Sequence, residues 1–478
     1  MAWWHWLGGG AVVILSLAAS VHAILYKRDP RATVLWVAFI WFSPVVGPLA
    51  YLLLGINRIR RRATRKRADL EHCEAPPPLE HCPPPEIPAR LEGRAAHLEP
   101  LAHLTQRLTG RPLLPGNRIT PLVNGDEAFP AMLEAIDQAR HSVHLSTYIF
   151  DRDPSGLEFA AALERAVRRG VQVRVLIDDA GARYSFPSIF GELRRRGVGT
   201  ARFMPRFVLL RLAALNLRNH RKILVIDGRL GFTGGMNIRE GNRLSRRPRH
   251  PIRDLHFRVE GPVVAQLQEV FLDDWAWCTG ERLQGPEWFP ELKPVGDMLA
   301  RAISDGPDEE LDRLVLTLNG AFAAARRSIR IATPYFLPDA TTISALNTAA
   351  LRGVDVDILL PSENNLPFVQ WASTALWWQV LLWGCRIWLS PPPFDHSKLL
   401  VVDDIWSFVG SSNLDPRSLR LNFEFNLEVY SPELAGRLTA WFEERRRVAH
   451  QVTLEEVNGR PWPRRLRDGI ARLATPFL

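Results

Sequence analysis

What most constrains the fold of this chain is a pattern that occurs twice. His220-Arg221-Lys222 is followed by Asp227, Gly234-Gly235 and Asn237; the same order returns as His396-Ser397-Lys398, Asp403, Gly410-Ser411 and Asn413, each position displaced by the same number of residues. The surroundings repeat too. Residues 131–140 have helical spacing and lead into an apolar run at 142–149; a helix at 157–169 stops at Gly170 before a second run at 171–177, closed by Asp178-Asp179. In the second half 321–327 precede 328–336, and a helix ending at Gly353 precedes 354–361. Short apolar runs alternating with helical patterns predict an α/β architecture. Its duplication predicts two similar lobes, 116–290 and 291–478, related by a pseudo-twofold axis.

The motif makes chemical sense on extended backbone. Side chains alternate faces along a strand, so His220 shares a side with Lys222, and His396 with Lys398. The run 223–226 ends at Asp227-Gly228, a hairpin-type turn. Asp227 stands an odd number of residues from His220; it and Asp403 belong to the catalytic motif, but their parity predicts framework residues that fix turn and strand. At Gly235 and Ser411 the returning strand brings backbone N–H groups toward an anion, and Asn237 and Asn413 add amide donors, so these four are expected to bind phosphate. Two imidazoles facing each other suit phosphodiester exchange. One attacks phosphorus, while the other, protonated, protonates the leaving alkoxide and then deprotonates the incoming alcohol. Lys222, Lys398, Asn237 and Asn413 would neutralise the equatorial oxygens. Neither a metal nor a cofactor is required by this chemistry.

The N-terminus predicts an anchor over 1–67. Residues 3–26 contain no charged side chain, and a helix of that length crosses a hydrocarbon core. A second uncharged stretch, 32–57, carries Pro44 and Pro48; it reads as a second span, with a buried core helix or re-entrant hairpin as the alternative. The first residues lack Lys and Arg, unlike a cleaved signal peptide. Basic residues between Arg58 and Arg67 outnumber Lys27, Arg28 and Arg31 in the loop, which places the bulk of the chain in the cytoplasm. Such a cluster attracts anionic headgroups with about 1 kcal/mol per residue. Residues 68–115 read as a proline-rich linker; Glu71-His72-Cys73 recurs there as Glu80-His81-Cys82, with no compact fold predicted around it to make a metal site. Four cysteines make no disulfide framework, and a net charge of +9 favours anionic partners without choosing among nucleic acid, acidic lipid and phosphorylated substrates.

At its motifs the sequence resembles the phospholipase D superfamily, and the flanks narrow the resemblance to bacterial cardiolipin synthases. Arg218-Asn219-His220, Thr233-Gly234-Gly235-Met236-Asn237, and Asn413-Leu414-Asp415-Pro416-Arg417-Ser418 with Asn422-Phe423-Glu424 carry it. The resemblance implies two tandem α-β-α sandwich lobes behind two transmembrane helices in a bacterial cytoplasmic membrane. It also implies transfer of a phosphatidyl group from one phosphatidylglycerol to another, giving cardiolipin and glycerol, with His220 as nucleophile and His396 as acid. Asp254 and Glu424 match carboxylates that hydrogen-bond the histidine of the opposite lobe. No nucleic acid is expected, although a nuclease uses the same histidine chemistry, and a lipid hydrolase or another headgroup transferase differs only in its acceptor. Gly235 departs from the serine many members carry. The apolar stretches 207–217 and 371–383 read either as membrane-dipping or as ordinary core.

Overall fold

The computed structural model describes residues 3–27, 30–55, 75–78, 80–203, 218–306 and 312–475. The basic cluster 58–67, the Glu71-His72-Cys73 triplet and the stretch 207–217 lie outside the described residues. The N-terminal helices and the α/β body are separate compact units.

In the first unit, helix Trp3–Tyr26 turns back into Pro30–Phe42. Ala19, Ala23, Ile40 and Tyr51 are buried between them, and Trp41 Nε1 donates to Ser20 Oγ at 3.1 Å. Ile14, Leu17, Val21, Ile24 and Leu25 point outward, as lipid-facing side chains do. Of the two expected spans, one is clear. Among the described residues one helix, over Gly8–Tyr26, is long and apolar enough to cross a membrane. The second stretch breaks at residues 43–45 and resumes as Val46–Ala50 and a single wide turn, Tyr51–Gly55. Pro44 and Pro48 supply the cause, since each lacks an amide donor and crowds the preceding turn.

In the second unit the described residues form a 15-stranded sheet and a two-stranded parallel one, Phe394–Asp395 with Ile252–Arg253. The middle of the larger sheet is the antiparallel pair Leu114–Val123 and Met298–Asp305. From there the first half continues outward through Leu255–Glu260, Leu230–Gly234, Ile223–Ile226, Ser142–Thr147, Gln172–Asp178 and Gly199–Phe203. The second half mirrors it through Glu424–Tyr430, Trp406–Gly410, Leu399–Val402, Ser328–Ala332, Asp355–Pro361 and Arg386–Ser390, with His450–Val452 added at the edge. The duplicated sequence thus becomes a duplicated strand order.

Strand periodicity divides the core. Ile223 and Val225, like Leu399 and Val401, join one cluster that runs through both halves under helices Val264–Thr279 and Pro432–Arg447. Leu224 and Ile226 face a second cluster under Asn124–Gln138 and Pro154–Arg168. Leu400 and Val402 face a third under Arg313–Ala324 and Ala340–Leu351. Strands buried on both faces are expected to read as unbroken apolar runs, and these do. Each half is an α-β-α sandwich.

The expected linker is largely something else. Helix Glu99–Thr109 ends at Gly110 in the left-handed conformation (φ 67°), and Leu98, Leu101 and Ala102 are buried in the second-half core. Thr105 Oγ donates to Glu428 Oε1 at 2.9 Å. Apolar or small residues at 98, 101, 102 and 105 have helical spacing, directly downstream of the proline-rich run.

Candidate active site

Main-chain pairing between the halves builds the site. The N–H of His220 donates to Phe423 O at 2.9 Å, and that of His396 donates to Arg253 O at 2.8 Å. In each case the next residue of the opposing segment is a carboxylate. His220 Nδ1 therefore lies 3.0 Å from both oxygens of Glu424, and His396 Nδ1 lies 2.8 Å from Asp254 Oδ2. Each histidine comes from one half and its acid from the other. A carboxylate at Nδ1 fixes the ring and leaves Nε2 as the reactive nitrogen.

Both histidines line one cleft of about 680 Å³, with Asn237 and Asn413 beside them. Asn237 Oδ1 accepts from Ile149 N at 3.0 Å, which turns its NH2 toward the cleft. Lys222 Nζ donates to His220 O at 2.7 Å; Lys398 Nζ lies 3.0 and 3.1 Å from the two ring nitrogens of His396. Burial depresses both lysines, Lys222 to about 7 and Lys398 to about 8. Burial also lowers His220, against the pull of Glu424, and burial with Lys398 lowers His396 well below its usual value. Asp254 is pushed up to about 6 by burial. For Glu424 burial acts in the same upward direction, but His220, Lys222 and the Ser411 hydroxyl outweigh it and the net shift is downward.

Several sequence-predicted residues stand elsewhere. Asp227 accepts backbone N–H groups of Arg140, His141 and Ser142 at 2.9, 2.7 and 2.8 Å. Asp403 does the same for Arg326, Arg327 and Ser328 and meets His97 Nε2 at 2.7 Å. Both sit at the hairpin turns with positive φ (52° and 55°), away from the cleft lining, so they are not catalytic in the sense of touching substrate. Gly235 and Ser411 also need correction as phosphate ligands. The Ser411 hydroxyl donates to Glu424, and the Gly235 N–H is spent on Leu255 O at 3.2 Å. A Cβ at Gly235 would come within 2.5 Å of Asp254 Oδ1. The glycine makes room for the acid that holds His396. Gly235→Ser is therefore expected to displace Asp254 and lower turnover about ten- to a hundredfold, the scale of a lost buried hydrogen bond. Steady-state kinetics beside a thermal melt checks this; unchanged turnover in a folded variant would contradict it.

Other residues gave little sequence signal. Buried Arg221 donates through Nε to Glu424 O at 3.0 Å and through Nη2 to Asp305 O at 3.1 Å, and pairs with Asp274 at 2.5 Å. It clamps the two halves directly behind His220. Tyr148 and Tyr335 stand edge-on to His220 and His396 at 5.5 and 6.2 Å between centroids. Two residues past each asparagine the halves diverge: Arg239 pairs with Asp151 at 3.1 Å, whereas Asp415 caps helix Pro416–Arg420 through Ser418 N at 2.7 Å. Opposite charges at equivalent positions make the two sides of the cleft chemically different.

Two α-β-α lobes that exchange histidine–carboxylate pairs across one cleft define a phospholipase D-like protein. The profile described as cardiolipin synthase, PLD-like domain, matches residues 132–275 and 318–446, and that described as phospholipase D-nuclease N-terminal matches 14–55. A cardiolipin synthase of Geobacillus kaustophilus is 34% identical over 98% of this chain and 92% of its own length. The major cardiolipin synthase ClsA of Bacillus subtilis is 33% identical over 95% of each chain. Cardiolipin synthase A of Pseudomonas putida KT2440 is 33% identical over 98% of this chain and 97% of its own length. The phosphatidylserine synthase of Haemophilus influenzae Rd KW20 shares the fold, with a TM-score of 0.60 at 16% identity over 79% of this chain and 100% of that one. The chain belongs to the cardiolipin synthase family.

Proposed function

We propose that this protein is a membrane-bound phosphatidyltransferase that makes cardiolipin and glycerol from two molecules of phosphatidylglycerol. The observation that carries the reading is the crossed pair of histidines in one cleft. Nearly full-length likeness to cardiolipin synthases supports the choice of lipid.

His220 Nε2 attacks phosphorus, and the bond to the glycerol oxygen breaks as His396 donates its proton to that oxygen. The phosphatidyl group is then held on His220. A glycerol hydroxyl of the second phosphatidylglycerol loses its proton to His396 and attacks phosphorus, and the P–N bond breaks. His396 must carry a proton in the first step although burial and Lys398 disfavour it. The arriving phosphodiester anion offsets the lysines and restores that proton. Asn237 and Asn413 line the cleft and meet the equatorial oxygens, while the lysines, buried beside the two histidines, supply positive charge to them. The cleft has the volume of a headgroup site, so the acyl chains lie outside it. The arginines between Arg58 and Arg67 support a two-segment anchor with its C-terminal side in the cytoplasm.

The lysines set a pH dependence. A lysine depressed to about 7 or 8 loses its charge as pH rises through that value, so kcat/KM, which reports free enzyme, should fall on the alkaline side from about pH 7 and more steeply above about pH 8. Bound phosphate holds the proton on, so the fall in kcat should lie at higher pH. Flat kcat/KM to pH 9 would contradict this.

Purified protein in nanodiscs, given phosphatidylglycerol labelled in its headgroup, tests the function. Cardiolipin and free glycerol in equal amounts are expected. Phosphatidic acid without cardiolipin would make it a hydrolase, and cleavage of single-stranded DNA without lipid product would make it a nuclease.

A further inference from the structure

Helix Trp462–Leu473 is packed inside out. An amphipathic helix on a globular surface ordinarily buries its apolar stripe; this one buries Asp468 and Ala471 against helix Pro367–Thr374. Asp468 is held by Arg460 at 2.5 Å and by Arg467 at 2.7 Å. The opposite face presents Trp462, Leu466, Ile470 and Leu473, which are 74, 53, 56 and 77% exposed and fall on one side of the helix by their spacing. Arg464, Arg465, Arg467 and Arg472 are exposed on the remaining surface, and the Arg467 guanidinium lies 4.4 Å from the centre of the Trp371 ring.

The stripe borders a groove of about 430 Å³ shared with Phe368 and Trp371. Phe368 also lines the active-site cleft, together with Leu366. The groove therefore adjoins the cleft at Phe368, in the helix that follows strand Asp355–Pro361. At the equivalent place in the first half, after strand Gln172–Asp178, Tyr184 lines the cleft and Phe186 is fully exposed two residues on. Both rims of the cleft thus carry outward-facing apolar side chains.

We propose that this surface, centred on helix Trp462–Leu473, docks on an anionic lipid bilayer and so admits lipid from the leaflet to the cleft. The proposal deepens the lipid-transferase reading and rests on it. Charge selects the occupant: an apolar stripe set among arginines complements anionic headgroups above hydrocarbon. Adjacency to the cleft gives the dock its use, because a headgroup-sized site leaves the acyl chains of its substrate needing the apolar cover of the bilayer. The surface is distinct from the N-terminal anchor, which tethers the chain but contributes no described residue to the cleft lining.

The test uses the full chain with its four native cysteines replaced and an environment-sensitive fluorophore on Ile470→Cys. The protein is placed in nanodiscs of phosphatidylcholine, with or without phosphatidylserine. A blue shift that requires the anionic lipid is expected. No shift in either bilayer overturns the proposal. So does a shift that follows protein concentration, which assigns the stripe to a second copy, and so does one present in every condition, which assigns it to a segment of the chain itself. This readout needs no turnover, so it stands or fails apart from the enzymatic reading. In parallel, Leu466→Glu/Ile470→Glu should lower turnover on bilayer phosphatidylglycerol by about tenfold or more while leaving monomeric short-chain phosphatidylglycerol within about twofold. Equal rates of wild type and variant on both substrates would overturn it, and equal loss on both would mark damage to the fold, leaving the fluorescence result to decide.

Discussion

Replacing His220 or His396 with alanine should each lower cardiolipin formation by about four orders of magnitude, and replacing both should lower it little further. Nucleophilic and acid–base catalysis are worth factors of this size when each depends on the other. Groups that act as a unit give non-additive losses, since the second removal deletes a partner with nothing left to assist. The structure supplies the dependence: both rings line one cleft, and the backbone of each is bonded to the segment that supplies its carboxylate. Quantifying labelled cardiolipin from the two single variants and the double variant checks this. Additive losses would mean two independent sites.

The second large effect is structural. Arg221→Met should cost about 3–5 kcal/mol, because it leaves the buried Asp274 carboxylate without its cation. The same change removes the donors to Glu424 O and Asp305 O, so both halves loosen where His220 meets Glu424. Adding Asp274→Leu should recover part of the stability, since an apolar pair replaces an uncompensated charge, but not the backbone bonds. Thermal unfolding of the two variants against wild type reads this out. A melt unchanged by Arg221→Met would mean that the clamp contributes nothing.

Much of this site could be read from the sequence because duplication and strand parity are local properties. The equal displacement of His220, Lys222 and Asn237 onto His396, Lys398 and Asn413 foretold two equivalent halves, and odd spacing separated Asp227 from His220. The partners Asp254 and Glu424 came from resemblance to a family; no spacing rule pairs residues 142 and 204 positions apart. Arg221 was missed because a residue between two motif positions carries no pattern, and its value comes from distant partners such as Asp274 and two carbonyls. Gly235 and Ser411 were placed at the phosphate on the ground that glycine exposes backbone. What decides their roles is the neighbouring strand, where Leu255, Asp254 and Glu424 take up their donors or their space. The region 84–109 was taken for spacer because proline dominates its first residues. The second apolar stretch reads as a span with a re-entrant hairpin as the alternative, because Pro44 and Pro48 mark where a break can fall without fixing whether it does. Trp462, Leu466, Ile470 and Leu473 share one helical face, but which face the helix buries is fixed by Arg460 and by the helix beneath it.

The central claim is that one imidazole from each half acts on the same phosphorus, His220 carrying the phosphatidyl group and His396 the proton. It is tested most directly by giving the His396→Ala variant a phosphatidyl ester with an activated leaving group, which needs no acid to depart. Mass spectrometry of the quenched, digested protein then locates the adduct. A phosphatidyl group on the peptide containing His220, absent from the His220→Ala variant, is the predicted result. An adduct elsewhere, or release of the leaving group with no adduct at any time, would contradict it.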